Sequence, residues 1–143
     1  MKTIALRFSD NIAPSGGTIK AHEEYIKKNG FVWYGKFGSV IAQKFVKTIL
    51  DNENPKVLLI HSGSVERYWA YVESIQNDTP PKNEWPAYYH DLSPKIHVWL
   101  KITKFVPAPK DIMSKCVVFS SNRSLSDASK FSMSPYFCIE TED

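Results

Sequence analysis

The stretch Gly30-Phe31-Val32-Trp33-Tyr34-Gly35 lies between two helix-like segments in a chain whose other apolar runs read as strands. In that setting it is itself a strand, with a helix on either side. Successive side chains of a strand point to opposite faces, so alternation separates Phe31 and Trp33 from Val32 and Tyr34. An indole so placed either fills the core or walls a pocket, and that choice decides the function.

The flanking elements follow from local signals. Thr3 to Phe8 alternates as a first strand, with Ile4, Leu6 and Phe8 on one face. Pro14-Ser15-Gly16-Gly17 turns the chain, and Thr18 is the expected N-cap of a helix closed by Gly30. That helix keeps Ile19, His22, Tyr25 and Ile26 near one face, and His22 reads as a partly buried or surface side chain rather than a ligand. Ser39 is expected to cap a second helix over 40–50, and Asp51-Asn52-Glu53-Asn54-Pro55 breaks it. Lys56 to His61 has the continuous apolar character of a central strand, with 67–75 as its partner. In the partner, Tyr68, Ala70, Val72 and Ser74 oppose Trp69, Tyr71, Glu73 and Ile75.

Residues 76–94 form a long, polar, proline-broken connection carrying Trp85, Tyr88, Tyr89 and His90 with no strand or helix period. A loop of that length in a compact domain is usually functional or mobile. Lys95 to Val106 is the longest strand, with Ile96, Val98, Leu100 and Ile102 in one register and Trp99 opposite, and Pro107-Ala108-Pro109 stops it. A helical turn at 110–114, strands at 116–119 and 136–139 and a helix at 125–131 complete the chain.

A length of 143 residues suits one domain, 1–143, able to bury a core without staples. The formal charge of +3 permits nucleic-acid binding without demanding it. Four tryptophans and 13% aromatic content suit either a binding surface or a β-rich core. Cys116 and Cys138 form neither a disulfide framework nor a metal signature, and the four histidines lack the paired spacing of zinc sites. No phosphate-binding glycine loop occurs, and Ser62-Gly63-Ser64 is not a nucleophile elbow. Neither metal nor cofactor is therefore expected, and the chain reads as a binder rather than a catalyst. Met1 to Arg7 holds too short an apolar run for a signal peptide, and no run reaches membrane-spanning length, so a cytoplasmic protein without a membrane partner is expected.

The order strand, helix, strand, helix, then strands with a long aromatic loop resembles the PUA-like superfamily, and within it the EVE and YTH domains that bind modified nucleotides. Four stretches carry the resemblance: 25–33 ending in Trp33, 57–60 followed by 68–73, 96–102 ending at Val106-Pro107, and Ser120-Ser121-Asn122-Arg123. The resemblance implies an α+β fold, a mixed β-barrel of about six strands flanked by two to four helices. It also implies a base-binding aromatic cage with Trp33 as one wall, Trp85 or Tyr89 as the second and Trp69 as a further candidate. Ser9, Asp10 and Asn11 stand where the family hydrogen-bonds the base edge, and Arg123, Lys36 and Lys44 are phosphate candidates. The chain departs from the YTH pattern before the long strand, where Tyr88-Tyr89-His90-Asp91 replaces the second cage tryptophan.

The function so implied is recognition of a methylated base flipped out of DNA, with modified RNA as the next ligand. EVE-like modules of this size serve as amino-terminal specificity modules of modification-dependent restriction systems, with an AAA+ GTPase motor and a nuclease as partners. The polar close Glu140-Thr141-Glu142-Asp143 suits a domain of a longer protein. The rival from another class is an ASCH-type hydrolase of modified nucleosides, for which Lys36 with Glu73 is the pair to test.

Overall fold

The structure, a computed structural model, describes residues 1–142. Seven strands form one mixed sheet in the order β2-β5-β4-β3-β1-β7-β6, one more than expected, with four α-helices. The strands are β1 (Lys2–Phe8), β2 (Val32–Phe37), β3 (Lys56–His61), β4 (Arg67–Gln76), β5 (Ile96–Pro107), β6 (Val117–Val118) and β7 (Tyr136–Glu140). Only β1 and β3 run parallel; every other pairing is antiparallel. The helices are α1 (Thr18–Asn29), α2 (Gln43–Leu50), α3 (Ile112–Lys115) and α4 (Leu125–Phe131).

The central strands bury both faces, which is why Val57 to Ile60 is apolar without alternation. Ile4, Leu6, Phe8, Val57, Leu59, Val98 and Leu100 join the inward residues of α1 and α2 in one core. Ala5, Leu58, Ile60 and Trp69 pack on the other face with Ile112, Leu125 and Phe137. A third cluster unites Trp33, Trp85, Tyr89, Ile96 and Trp99 on the outer side of β2 and β5. Gly35 permits it, since a Cβ there would stand 2.6 Å from Ile96 Cδ1.

Several local expectations change. Thr18 is the first helical residue rather than the cap; its amide donates to Asp10 Oδ1 at 2.9 Å, so a carboxylate from the preceding turn does the capping. Gly30 does close α1, in the left-handed region at φ 83°, with its amide on the Ile26 carbonyl. Helix α2 begins at Gln43 because Ser39 to Ala42 stays non-helical, with the Ser39 carbonyl taken by the Lys36 ammonium. Ile75 packs with the Tyr68 and Val72 face, opposite to simple alternation, because the β4–β5 register shifts twice between Tyr71 and Ser74. A register shift at Lys36/Phe37 likewise moves Ile96 to the Trp99 side. Among the described residues, no helix is long and apolar enough to cross a membrane.

Candidate functional site

In the sheet order β1 and β2 are not neighbours, yet residues of both line one cavity of about 340 Å³. The sheet thus curls until these strands face each other, and the cavity occupies the seam where no ladder joins them. Its volume lies at the small end of ordinary ligand pockets, which run from about 300 to 1,000 Å³. Its aromatic surface comes from Phe8, Tyr34, Phe37, Tyr88 and Tyr89, and its polar groups include Arg7, Ser9, Asn11, Thr18 and Lys36. Among the described residues, no aspartate, glutamate, histidine or cysteine contributes to this lining.

The turn after β1 is fixed through Asp10. One carboxylate oxygen accepts from the Thr18 amide; the other stands 2.7 Å from His61 Nε2. His61 Nδ1 accepts from the Gly63 amide at 2.9 Å, which leaves the ring proton on Nε2, directed at Asp10. Both imidazole nitrogens are therefore engaged, and His61 has none left to act as a base. The backbone hydrogen bond from Thr18, followed by the His61 contacts, lowers the Asp10 pKa. Asp10 thereby anchors the turn that carries Ser9 and Asn11 to the cavity. Asp10→Ala is expected to lower stability by about 1 kcal/mol, as loss of a helix cap does. Urea unfolding measures that loss, and an unchanged midpoint would remove the anchoring role.

The opposite wall is held from within. His22 Nδ1 stands 2.8 Å from the Thr18 carbonyl, so it must donate, and Nε2 accepts from the Tyr89 hydroxyl at 3.1 Å. Tyr89 in turn accepts from the Gly35 amide at 3.3 Å. This chain ties the first turn of α1 to β2 and to the 3-10 turn Ala87–Tyr89. Burial raises the pKa of all three tyrosines Tyr34, Tyr88 and Tyr89, so each wall of the cavity stays a neutral phenol. Lys36 is 5% exposed, and burial lowers its pKa. Its ammonium donates to the carbonyls of Phe37 and Ser39 and lies 4.8 Å from the centroid of the Tyr136 ring.

A family model for Pua-like domains matches residues 4–134, most of the chain. The chain belongs to the Pua-like family. The match runs from β1 through α4 and so takes in both strands that wall the cavity. No curated protein and no solved structure matches the chain.

Within this Pua-like domain the expected site residues divide. Ser9, Asn11, Lys36 and Tyr89 meet at the cavity. None of the tryptophans lines it. Trp33 is 6% exposed and Trp85 1%; both belong to the third apolar cluster, and no open cleft separates them. Their N–H groups are engaged as well, Trp33 Nε1 on Glu84 Oε1 at 3.0 Å and Trp85 Nε1 on the Pro80 carbonyl at 2.9 Å. The cage expectation for Trp33 and Trp85 is thus corrected: the 77–95 connection folds back and covers that face of β2. Trp69 packs with Ile112 and Leu125 on the far side of the sheet, its ring 4.2 Å from Lys56 Nζ. Asp10 serves as cap and anchor instead of facing a base edge.

Arg123 is exposed on the 120–124 loop and Lys44 lies on α2, both outside the cavity lining. The rival catalytic pair is not assembled, since Glu73 is exposed and its oxygen lies 3.8 Å from Lys101 Nζ. Tyr34, Phe37, Tyr88 and Thr18 are cavity residues that sequence reasoning passed over. Alternation had already put Tyr34 opposite Trp33; only the sign of the face was missing. Among the described residues, no three His, Cys, Asp or Glu side chains are placed to hold a metal ion.

Proposed function

We propose that this Pua-like domain binds a single modified base, removed from its stack, in the cavity at the β1–β2 seam. Family membership supports nucleic-acid binding in general. The observation that carries the finer reading is the cavity itself: three neutral phenols and Phe37 surround a space of about 340 Å³, with Ser9 and Asn11 at the edge. Aromatic faces hold a base of any sequence, at about 1–3 kcal/mol per stacked contact. Hydroxyl and amide groups then fix its hydrogen-bonding edge. A methyl group adds apolar area worth about 0.8 kcal/mol, or roughly a fourfold preference, when it meets a close aromatic wall. The absence of a carboxylate from the lining leaves Lys36 without the partner that a hydrolase would need.

The ligand in this reading is a methylated base of DNA, held apart from its neighbours in the strand, with a modified base in RNA as the alternative. The domain then acts as the specificity module of a modification-dependent restriction system, beside an AAA+ GTPase motor and a nuclease. Arg123 and Lys44 are the phosphate contacts outside the cavity, and Lys36 the one at its rim.

Calorimetric titration with oligonucleotides carrying N6-methyladenine, 5-methylcytosine or the plain base tests the proposal. One modified strand is expected to bind at least about fourfold tighter than its plain counterpart. Tyr88→Ala should weaken that binding by about tenfold, the loss of one stacked contact, while the half-buried position leaves the fold intact. Equal affinity for all three strands would sink the proposal.

A further inference from the structure

The base cavity does not end blindly. Pro135 lines both it and an adjoining depression formed by Ser39, Ser120 and Tyr136. That depression shares Phe45, Phe119, Tyr136 and Cys138 with a third, which reaches Lys44 on α2 and Lys2 on β1. The first two abut at Pro135 and the last two overlap, so the three hollows lie in series as one trough from the seam past the start of β7 to the outer side of α2.

Its chemistry is uniform. Among the described residues, no aspartate or glutamate lines any of the three hollows, although the chain has 15 acidic residues. Other hollows on the surface do carry them: Glu140 and Glu142 line one, and Asp10, Glu23 and Glu66 another. The trough instead presents aromatic rings with cations beside them. Phe119 is 39% exposed and meets Phe45 edge to face at 6.0 Å, and Lys2 Nζ lies 5.0 Å from the Phe119 centroid. Lys36 sits at the junction, with its side chain in the cavity lining and its ammonium against Tyr136 and the Ser39 carbonyl of the next hollow.

We infer that the trough takes the unpaired nucleotides on one side of the bound base, so that the target is a single-stranded segment and not one base flipped from an otherwise intact duplex. The inference rests on the base-binding reading above. An exposed phenylalanine offers a stacking face only to a base that has lost its partner, and lysines spaced along the same path match a phosphate backbone. Lys36 would meet the phosphate between the base in the cavity and the first nucleotide in the trough. It has one ammonium proton beyond the two given to carbonyls. Phe119 and Tyr136 would take the following bases, with Lys44 and Lys2 along their phosphates.

The test compares three probes carrying the same methylated base: the free nucleoside, a single strand of about nine nucleotides and the matching duplex. The single strand is expected to bind tighter than either of the others. Phe119→Ala should weaken the single strand by about tenfold, and Lys44→Ala should lower the salt slope of its binding by about 0.7. Neither variant should alter nucleoside affinity, which Tyr88→Ala should reduce. Lys44 is exposed on α2, so its replacement leaves the fold in place even if Phe119→Ala disturbs it. A single strand that binds no tighter than the nucleoside, or no tighter than the duplex, overturns the inference but leaves the base cavity standing. A dimer in sedimentation that Phe119→Ala dissolves also overturns it, because the trough then belongs to a second copy. Failure of the nucleoside and both oligonucleotides to bind overturns the base-binding reading and the trough with it.

Discussion

Trp33→Ala is expected to cost the domain a large part of its stability and none of its ligand specificity. The indole is 6% exposed, packs with Trp85, Tyr89, Ile96 and Trp99, and donates to Glu84. Removing an aromatic from such a site costs about 3–5 kcal/mol through lost burial and the cavity left behind. That is a large part of the about 5–15 kcal/mol that holds a typical domain folded. Trp33→Phe keeps much of the ring and loses the Glu84 bond, so it should cost nearer 1 kcal/mol. Urea unfolding of both variants gives the ordering. Modified-strand binding, normalised to the folded fraction, should match the unaltered protein because Trp33 lies outside the cavity lining. An alanine variant that unfolds like the parent while losing discrimination between modified and plain strands would falsify this assignment.

Acid should destabilise the domain well before its carboxylates titrate. His22 is fully buried, and burial pushes its pKa down to about 4 from an ordinary 6.5. Its ring faces Tyr34, Tyr88, Tyr89 and Phe105, none of which carries a charge at this pH. The unfolded chain therefore takes up a proton near pH 6.5, and the folded chain only near pH 4. Stability is full above the upper value, falls through the interval, and levels off below the lower one. The whole loss is about 3 kcal/mol for a shift of this size. Protonation would also put a hydrogen on Nε2, so that the Tyr89 hydroxyl loses the buried acceptor to which it donates. Below about pH 4 the lowered pKa of Asp10 adds a second decline, since its stabilising contacts vanish once the carboxyl takes a proton. Chemical denaturation across pH 7.5 to about 4 measures the profile, and His22→Gln should flatten it at some cost in stability. A parent protein whose unfolding midpoint stays level over that range would show that His22 is not held neutral.

The order of elements was legible from residues whose signals are local. Gly30 announces the end of α1, Pro55 the break before β3, and the apolar run 57–60 a strand covered on both faces. The site was less legible, because its walls depend on what covers each face of β2. Alternation divides Trp33 from Tyr34 without saying which side the 77–95 connection will cover. That connection has no period, so its route was invisible: Trp85 falls in one cluster with Trp33, while Tyr88 and Tyr89, packed on the same cluster, also reach the cavity. Bulges hide a second class of information. Parity along β4 misplaces Ile75, and parity along β5 misplaces Ile96, since each register shift reverses the faces beyond it. Asp10 illustrates a third. Three adjacent polar residues at the end of β1 looked alike, and only the distant Thr18 and His61 separate the anchor from its neighbours.

Strand β1 lies between β3 and β7, with Lys2 opposite Glu140 and the Met1 amine donating to the Thr141 carbonyl at 2.7 Å. Within this domain the earliest strand in the chain is thus completed by β7. Arg7 extends the dependence, because its guanidinium donates to the carbonyls of Ser129, Ser132 and Ser134 beside Pro135 at the cavity wall. Contacts separated by nearly the whole chain close late and slowly, after the loop entropy between them has been overcome. Nascent chains that lack β7 therefore have neither a finished sheet nor a formed pocket, and ligand capture waits until β7 has been made.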